Sequence, residues 1–212
     1  MLLDLDQLFA KYKLKINGIL QIGAHFGEEY PSYLKHDIKH IVFFEPLTHC
    51  YHNLVNNLMM YGIEEREVGV VQSALGSEHG FVEMYVDDKQ GASSSILKPK
   101  QHLEQHPTIS FPNREKVEVI TLDSFWEINS EVKIEDYNFI NIDVQGYELE
   151  VFKGAAKTLE SIDYIMTEIN RDEVYEHCAL VDSIDGFLEN YGFRRVETSW
   201  AGGTWGDGFY IK

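Results

Sequence analysis

Short apolar runs alternate along the chain with stretches whose apolar positions recur at helical spacing. That alternation is the pattern of a mainly parallel sheet covered by helices. The runs predict core strands at residues 18–22, 40–44, 68–74, 137–144 and 164–169. Helices are predicted from near Gly27 to about His36, and over residues 49–60, 147–159 and 172–191. Residues 80–86 alternate polar and apolar like a hairpin arm, residues 117–122 read as a strand, and residues 123–126 as a short helix start. A closing strand pair at 193–198 and 208–211 brackets a turn-rich stretch, 200–206. The rhythm breaks only over residues 87–114, which hold three of the five prolines and the triplet Ser93, Ser94, Ser95. A loop of that length inside a compact domain is functional or mobile. At the start, Leu2, Leu5, Leu8 and Phe9 predict an amphipathic helix within residues 1–15, packed on a single domain formed by residues 16–212.

Composition narrows the class. The 212 residues suffice for one α/β domain with a buried core. With 18 basic and 35 acidic residues the formal charge is −17, so nucleic acid and anionic membrane surfaces are not expected partners. Cys50 and Cys178 are too few for a disulfide framework and fit a reducing compartment. The first residues lack the basic and apolar regions of a signal peptide, and no run approaches the roughly 20 apolar residues of a membrane span. A soluble, cytoplasmic protein is expected.

Chemistry concentrates where predicted strands end. Gly23, Ala24 and Gly27 stand at the first strand-to-helix turn, where small residues admit close approach of a ligand to free N–H groups. The spacing is GAxxG and not GxGxxG, which disfavours a pyrophosphate cradle. Glu45, followed by Pro46, ends the second strand 22 residues after Gly23, close to the roughly 20-residue offset of an acid that holds ribose hydroxyls. A nucleoside-bearing cofactor without a required phosphate follows, and S-adenosylmethionine (SAM) fits better than a nicotinamide dinucleotide. Read alone, the glycine turn is equally tight packing and the strand-end acid equally a helix cap. In residues 140–155, INIDVQGYELEVFKGA, an apolar strand delivers Asp143 to the crevice where open α/β sheets bind ligands.

Joined to these residues, several stretches resemble the FkbM family of SAM-dependent methyltransferases. They are ILQIGAHFG, VFFEP, SALGS from Ser73, GASSSI, ITLDSF, FINIDVQGYELEVFKGA, MTEIN and FLENYGF. The resemblance implies a class I methyltransferase (Rossmann-like) fold: a seven-stranded, mostly parallel sheet with helices on both faces. It also implies SAM as methyl donor and O-methylation of a hydroxyl on a sugar or secondary metabolite, so the expected partner is a small-molecule or glycan acceptor. By the same resemblance Gly23, Ala24 and His25 line the methionine part of the cofactor, Glu45 holds the ribose, Ser73 and Ala74 border the adenine, and Asp143 sits near the sulfonium. Gln21, where many methyltransferases carry an acid, is placed at the cofactor's amino group; Gln145 stands where the family often has glutamate.

Asp143 and Glu168 both end predicted strands and are the candidate proton acceptors, with Asn170 and Arg171 orienting the acceptor. Glu168 alternatively caps the following helix. The hydroxyls of Ser93, Ser94 and Ser95 bind the acceptor or the cofactor in a closing lid, with Ser94 and Ser95 the candidate acceptor contacts, or are simply small residues in a mobile loop. Trp200 and Trp205 are core and edge packing, or a stacking surface for a sugar ring. Asp143, Glu168 and Asp172 form a minor candidate set for Mg²⁺, and the i, i+4 pair His102 and His106 another for a metal, without the HExxH arrangement. No resident metal is expected. Competing readings are a nicotinamide-dependent oxidoreductase, which lacks its glycine fingerprint here, and a non-catalytic SAM-binding module.

Overall fold

The apolar runs become the central strands of one sheet. The computed structural model describes residues 2–63 and 66–212. Strands are β1 (Gly18–Ile22), β2 (His40–Phe44), β3 (Glu67–Val71), β4 (Ala74–Leu75), β5 (Gly80–Val86), β6 (Asn113–Ile120), β7 (Phe139–Ile142), β8 (Tyr164–Asn170), β9 (Arg194–Ala201) and β10 (Trp205–Ile211). Helices are α1 (Leu5–Tyr12), α2 (Tyr30–Lys35), α3 (Thr48–Tyr61), α4 (His102–Gln105), α5 (Leu122–Ile128), α6 (Glu148–Lys153), α7 (Thr158–Ser161) and α8 (Val181–Glu189). The main sheet has seven strands in the order β3-β2-β1-β7-β8-β10-β9, all parallel except β10, which runs antiparallel to both its neighbours. This is the seven-stranded, mostly parallel sheet that the sequence implies. Strand order reverses between β1 and β7, and that switch point opens the crevice.

Side-chain alternation divides the core between the two faces. Leu20, Ile22, Ile140 and Ile142 pack with Phe152, Ile165 and Leu188, whereas Ile19 and Phe139 pack with Leu8, Tyr30, Leu54 and Phe209. Asp4 caps α1, accepting from the Asp6 and Gln7 amides at 2.8 and 3.2 Å, and Leu5 and Leu8 bury the helix against the second face. The helix occupies the middle of the predicted 1–15 segment, whose first residue lies outside those described. No helix among the described residues is long and apolar enough to cross a membrane. Both cysteines are free and buried.

Several predicted boundaries move, each for a local reason. The first helix begins at Tyr30 and not near Gly27, because Gly27 has φ +79° and Pro31 supplies the fixed φ of a first turn. The predicted strand 68–74 divides: β3 stays in the main sheet, while β4 pairs with β6 in a second sheet of order β4-β6-β5. The predicted helix 147–159 is interrupted at Gly154, where an added Cβ would lie 2.0 Å from the Gly76 carbonyl oxygen. It resumes as α7, whose first amides donate to Asp123: Lys157 N and Thr158 N each at 2.9 Å. The predicted helix 172–191 shrinks to α8, since residues 173–176 pair instead with the long loop. Lys100 N donates to the Val174 carbonyl at 3.0 Å, and Glu176 N to the Lys98 carbonyl at 2.8 Å. The loop 87–114 is therefore ordered by long-range contacts, carries α4, and gives its last two residues to β6. β9 and β10 extend through the expected turn region into a hairpin closed by Gly202 and Gly203, both with positive φ.

Candidate active site

Two cavities meet at the C-terminal ends of β1, β2 and β7. The first, about 280 Å³, is lined by Gly23, Ala24, His25, Glu45, Pro46, Ser73, Ala74 and Asp143, among others. The turn after β1 is held to β2, with Gly23 N and Ala24 N both donating to the Phe44 carbonyl at 3.0 Å. Gly23 has φ +75°, and a Cβ on it would lie 1.9 Å from the Asp143 carbonyl oxygen. The glycine thus lets the ends of β1 and β7 close on each other, which places Asp143 at the cavity wall.

Glu45 is the anchor of the β2 end. Its carboxylate accepts from the His25 amide at 2.8 Å and from the Leu47 amide at 2.9 Å. Burial pushes its pKa up to about 7, and those two donors work against the rise. Above the cavity, residues 87–95 form a turn wound on Asp87, which accepts from Lys89 N at 2.6 Å, Gly91 N at 3.2 Å and Ser93 N at 2.8 Å. The turn is pinned at the Gln90 carbonyl, which lies 3.1 Å from His25 Nε2 and 3.4 Å from the Cys50 thiol.

Among the described residues that line either cavity there is no Lys or Arg, whereas Glu28, Glu29, Glu45 and Asp143 line the first. That donor set suits a ligand carrying positive charge and is poor for a pyrophosphate, which needs cations or a glycine-rich helix start. A sulfonium nucleoside meets the requirement.

The second cavity, about 210 Å³, adjoins the first along Ala92, Asp143 and Gln145. Ser93, His102, His106, Glu168 and Trp205 complete much of its wall. Gln145, in a left-handed backbone conformation (φ 55°), donates its side-chain amide to Asp143 Oδ1 at 2.6 Å and to Glu168 Oε2 at 2.8 Å. The Tyr175 hydroxyl lies 2.8 Å from both the Gln145 side-chain carbonyl and the Ser93 carbonyl, with one proton to donate between them. Burial, then the nearby Asp143 and Glu148 carboxylates, raise the Glu168 pKa well above the usual carboxylate range. Glu148 braces the turn from below, accepting from Val144 N and Gly146 N at 3.1 Å each; burial pushes its pKa up to about 7.

Six predicted site residues stand elsewhere than expected. Gln21 does not line the first cavity: it is 1% exposed, and its carbonyl accepts from Asn141 at 2.8 Å and from the Tyr33 hydroxyl. Gly27 also lies outside it, packed on Leu54. Ser94 lines the first cavity and not the second, with its hydroxyl engaged by Asp87 at 3.2 Å. Ser95 stands behind the wall, donating to the Gln145 backbone carbonyl at 2.8 Å. Asn170 is fully buried, and the Arg171 guanidinium stacks 3.8 Å from the Trp200 ring, so neither reaches the second cavity and Trp200 is not a free stacking surface. Trp205 does line it. The Mg²⁺ set does not assemble, because Asp172 is exposed and lines neither cavity; no group of three metal-binding side chains occurs among the described residues.

Sequence reasoning weighed Ser93 only as part of its triplet, missed Tyr175 and Glu148, and treated His102 and His106 only as metal candidates. Their local sequence carried one usable cue: an acid in the first turn of α6 that turns back to bond preceding amides, as helix-capping carboxylates do. His102 is 4% exposed and its Nδ1 has no hydrogen-bond partner. An unmet buried nitrogen of this kind costs about 1–3 kcal/mol.

Comparison with known proteins agrees with this geometry. A family model described as the methyltransferase FkbM domain matches residues 21–195. The 2-O-methyltransferase NoeI of Sinorhizobium fredii (strain NBRC 101917 / NGR234) is 29% identical over 165 residues, covering 74% of this chain; the match spans 65% of NoeI's length. Among solved structures, a SAM-dependent methyltransferase from Aquifex aeolicus aligns over 99% of this chain and 90% of its own, with 13% identity and a TM-score of 0.53. The magnesium protoporphyrin IX methyltransferase of Synechocystis PCC 6803 with bound SAH (S-adenosylhomocysteine) covers 98% of this chain and 78% of its own, with 6% identity and a TM-score of 0.54. These likenesses establish the Rossmann-like methyltransferase fold. The family match decides the rest: the chain belongs to the FkbM family of SAM-dependent methyltransferases.

Proposed function

We propose that this methyltransferase is an O-methyltransferase whose acceptor is a hydroxyl on a sugar of a glycan or glycosylated product. The observation that carries the reading is the wall of Ala92, Asp143 and Gln145 shared by the two cavities. A donor in one cavity and an acceptor in the other meet at that wall, which is the positioning an in-line displacement requires. The 2-O-methyltransferase relative supports oxygen as the receiving atom. Residues 16–212 act as the catalytic domain, with α1 packed on the second face of its sheet.

In this reading Gly23, Ala24 and His25 flank the methionine part of the cofactor, Glu45 receives ribose hydroxyls on its remaining lone pairs, and Ser73 and Ala74 border the base. Bound there, SAM supplies an electrophilic methyl group and a positive charge that transfer consumes. Asp143 complements that charge. Glu168 is proton-bearing when only carboxylates surround it; a cation beside Asp143 favours its ionised form, which then accepts the proton of the hydroxyl. Gln145 holds the two carboxyls in register, and residues 87–95 exclude water from above.

The test is transfer from methyl-labelled SAM to a panel of glycosides, with products identified by mass and by the position of the new methyl. Methyl ethers on sugar oxygens are expected. Methylation confined to nitrogen or carbon acceptors would sink the O-methyl assignment, and methylation confined to non-sugar alcohols would sink the sugar assignment. Thermal stabilisation by NAD and by neither SAM nor SAH would overturn the whole reading.

A further inference from the structure

The second cavity contains two features that the methyl-transfer reading does not use, and both bear on what enters it. The first is its charge. Its ionisable lining consists of Asp143, Glu168, His102 and His106, with no Lys or Arg among the described lining residues. Two cations close in sequence to the lining residues Glu168 and His102 are engaged elsewhere, Arg171 on Trp200 at 3.8 Å and Lys100 on Glu173. An acceptor bearing a carboxylate or phosphate would enter against Asp143 and Glu168 and meet no counter-charge.

The second feature is His102. It is held on a fixed strap: its amide donates to the Val174 carbonyl at 3.1 Å, and residue 99 pairs with Tyr175. The ring is surrounded by other rings, with His106 at 4.8 Å, Phe111 at 5.3 Å and Tyr175 at 5.5 Å between centroids. Burial, and His106 beside it, push its pKa down to about 4, so the imidazole is neutral at physiological pH. A neutral imidazole has one donor and one acceptor nitrogen, the complement of a hydroxyl. His102 lines the cavity, and its buried Nδ1 is satisfied by no part of the described chain. Trp205, on the same wall, offers the flat apolar surface on which sugar rings pack.

We propose that the second cavity is the acceptor site, that it takes an uncharged polyol ring and rejects its acidic counterpart, and that His102 binds a hydroxyl of that ring other than the one methylated. The assignment rests on the O-methyltransferase reading above. His102 is an acceptor-binding residue in it, and Glu168 remains the group that accepts the hydroxyl's proton.

The experiment pairs each neutral methyl glycoside (glucose, galactose, mannose and fucose types) with a uronate counterpart where one exists, using the full chain and labelled SAM. Neutral members are expected to be methylated at least about tenfold more efficiently in kcat/KM than their uronates. The variant His102→Ala is expected to raise acceptor KM about tenfold or more while SAH binding, followed by thermal shift, stays as in the parent. His102→Gln, which keeps a donor and an acceptor, recovers part of that loss. Equal turnover of uronates and neutral glycosides overturns the charge rule, and an unchanged KM in a folded His102→Ala protein removes His102 from the site. If SAH binds and no neutral glycoside is methylated, the acceptor class is wrong while the cofactor assignment stands. If SAH does not bind, the functional reading itself falls and the inference goes with it.

Discussion

Asp143 and Glu168 are bridged by one side-chain amide: Gln145 donates one N–H to Asp143 Oδ1 at 2.6 Å and the other to Glu168 Oε2 at 2.8 Å. A glutamate at 145 would replace both donors with an acid in a site already holding the carboxyls of Asp143, Glu148 and Glu168. Gln145→Glu is expected to cost about 2 kcal/mol, roughly 4–8 °C in Tm for a chain of this size, at pH 8. The deficit should shrink at pH 5.5, where protonation restores a donor. A Tm equal to the parent at both pH values would show that the amide bridge contributes nothing to stability.

The charge of Asp143 predicts a preference between two nearly isosteric ligands. SAM is cationic at sulfur and SAH is not, so Asp143→Asn should weaken SAM binding by about tenfold and leave SAH binding within a factor of about three. The kcat/KM for transfer should fall by roughly 10²–10³, the range for loss of one electrostatic stabiliser, with the fold intact. Isothermal titration with both ligands distinguishes this from a steric role, which would weaken both equally.

Glu168 adds a proton inventory. With burial and neighbouring carboxylates holding its proton, a cation arriving beside Asp143 should release a fraction of a proton from the pair, and a neutral ligand should not. Titrating SAM and SAH in buffers of different ionisation enthalpy at pH 7.5 measures this directly. SAM should show a buffer-dependent heat that SAH lacks and that Glu168→Gln abolishes. Identical buffer dependence for SAM, SAH and the variant would place the titrating group elsewhere.

The cofactor side of this site was legible because each of its residues ends an apolar strand. Gly23, Glu45 and Asp143 follow β1, β2 and β7 directly, and strand ends at a switch point converge whatever the intervening helices do. Gln21 misled because it lies inside β1, on the face shared with Ile19 and Asn141, where alternation turns it towards Tyr33 and away from the cavity. The acceptor side was illegible for a different reason. His102, Ser93 and Tyr175 are brought together by pairing of the loop after β5 with residues 173–176, which leaves no local periodicity. The helical pattern of 172–180 lost to those long-range backbone bonds.

Gly23 tests the close approach of β1 and β7. Alanine there must adopt φ +75° and set its Cβ 1.9 Å from the Asp143 carbonyl oxygen, so the strand ends must separate. Gly23→Ala is expected to cost more than about 3 kcal/mol and to abolish SAH-induced stabilisation even in the fraction that folds. Parent-like Tm and SAH response would mean that the turn relaxes without moving Asp143.

The buried acids fix how stability varies with pH. Glu45 and Glu148 are pushed from 4.5 up to about 7 and Glu168 well above its ordinary value, in each case chiefly by burial. From about pH 4.5 to 7 the folded chain therefore holds more protons than the unfolded chain, and stability falls as pH rises through that window. Each fully shifted group contributes up to about 1.4 kcal/mol per pH unit. His102 acts in the opposite sense: lowered from 6.5 to about 4, it is neutral when folded and protonated when unfolded between those values, so it weakens the fold on acidification. Three carboxyls outweigh one imidazole, so these groups make the ligand-free Tm highest near pH 4.5 and lower it by several degrees towards pH 8. Glu148→Gln keeps an acceptor for Val144 N and Gly146 N and should lessen that fall, whereas His102→Gln removes the opposing group and should steepen it between pH 4.5 and 6.5. A ligand-free Tm that climbs steadily from pH 5.5 to 8 would contradict this balance, because it would require these carboxyls to ionise more easily in the fold than outside it.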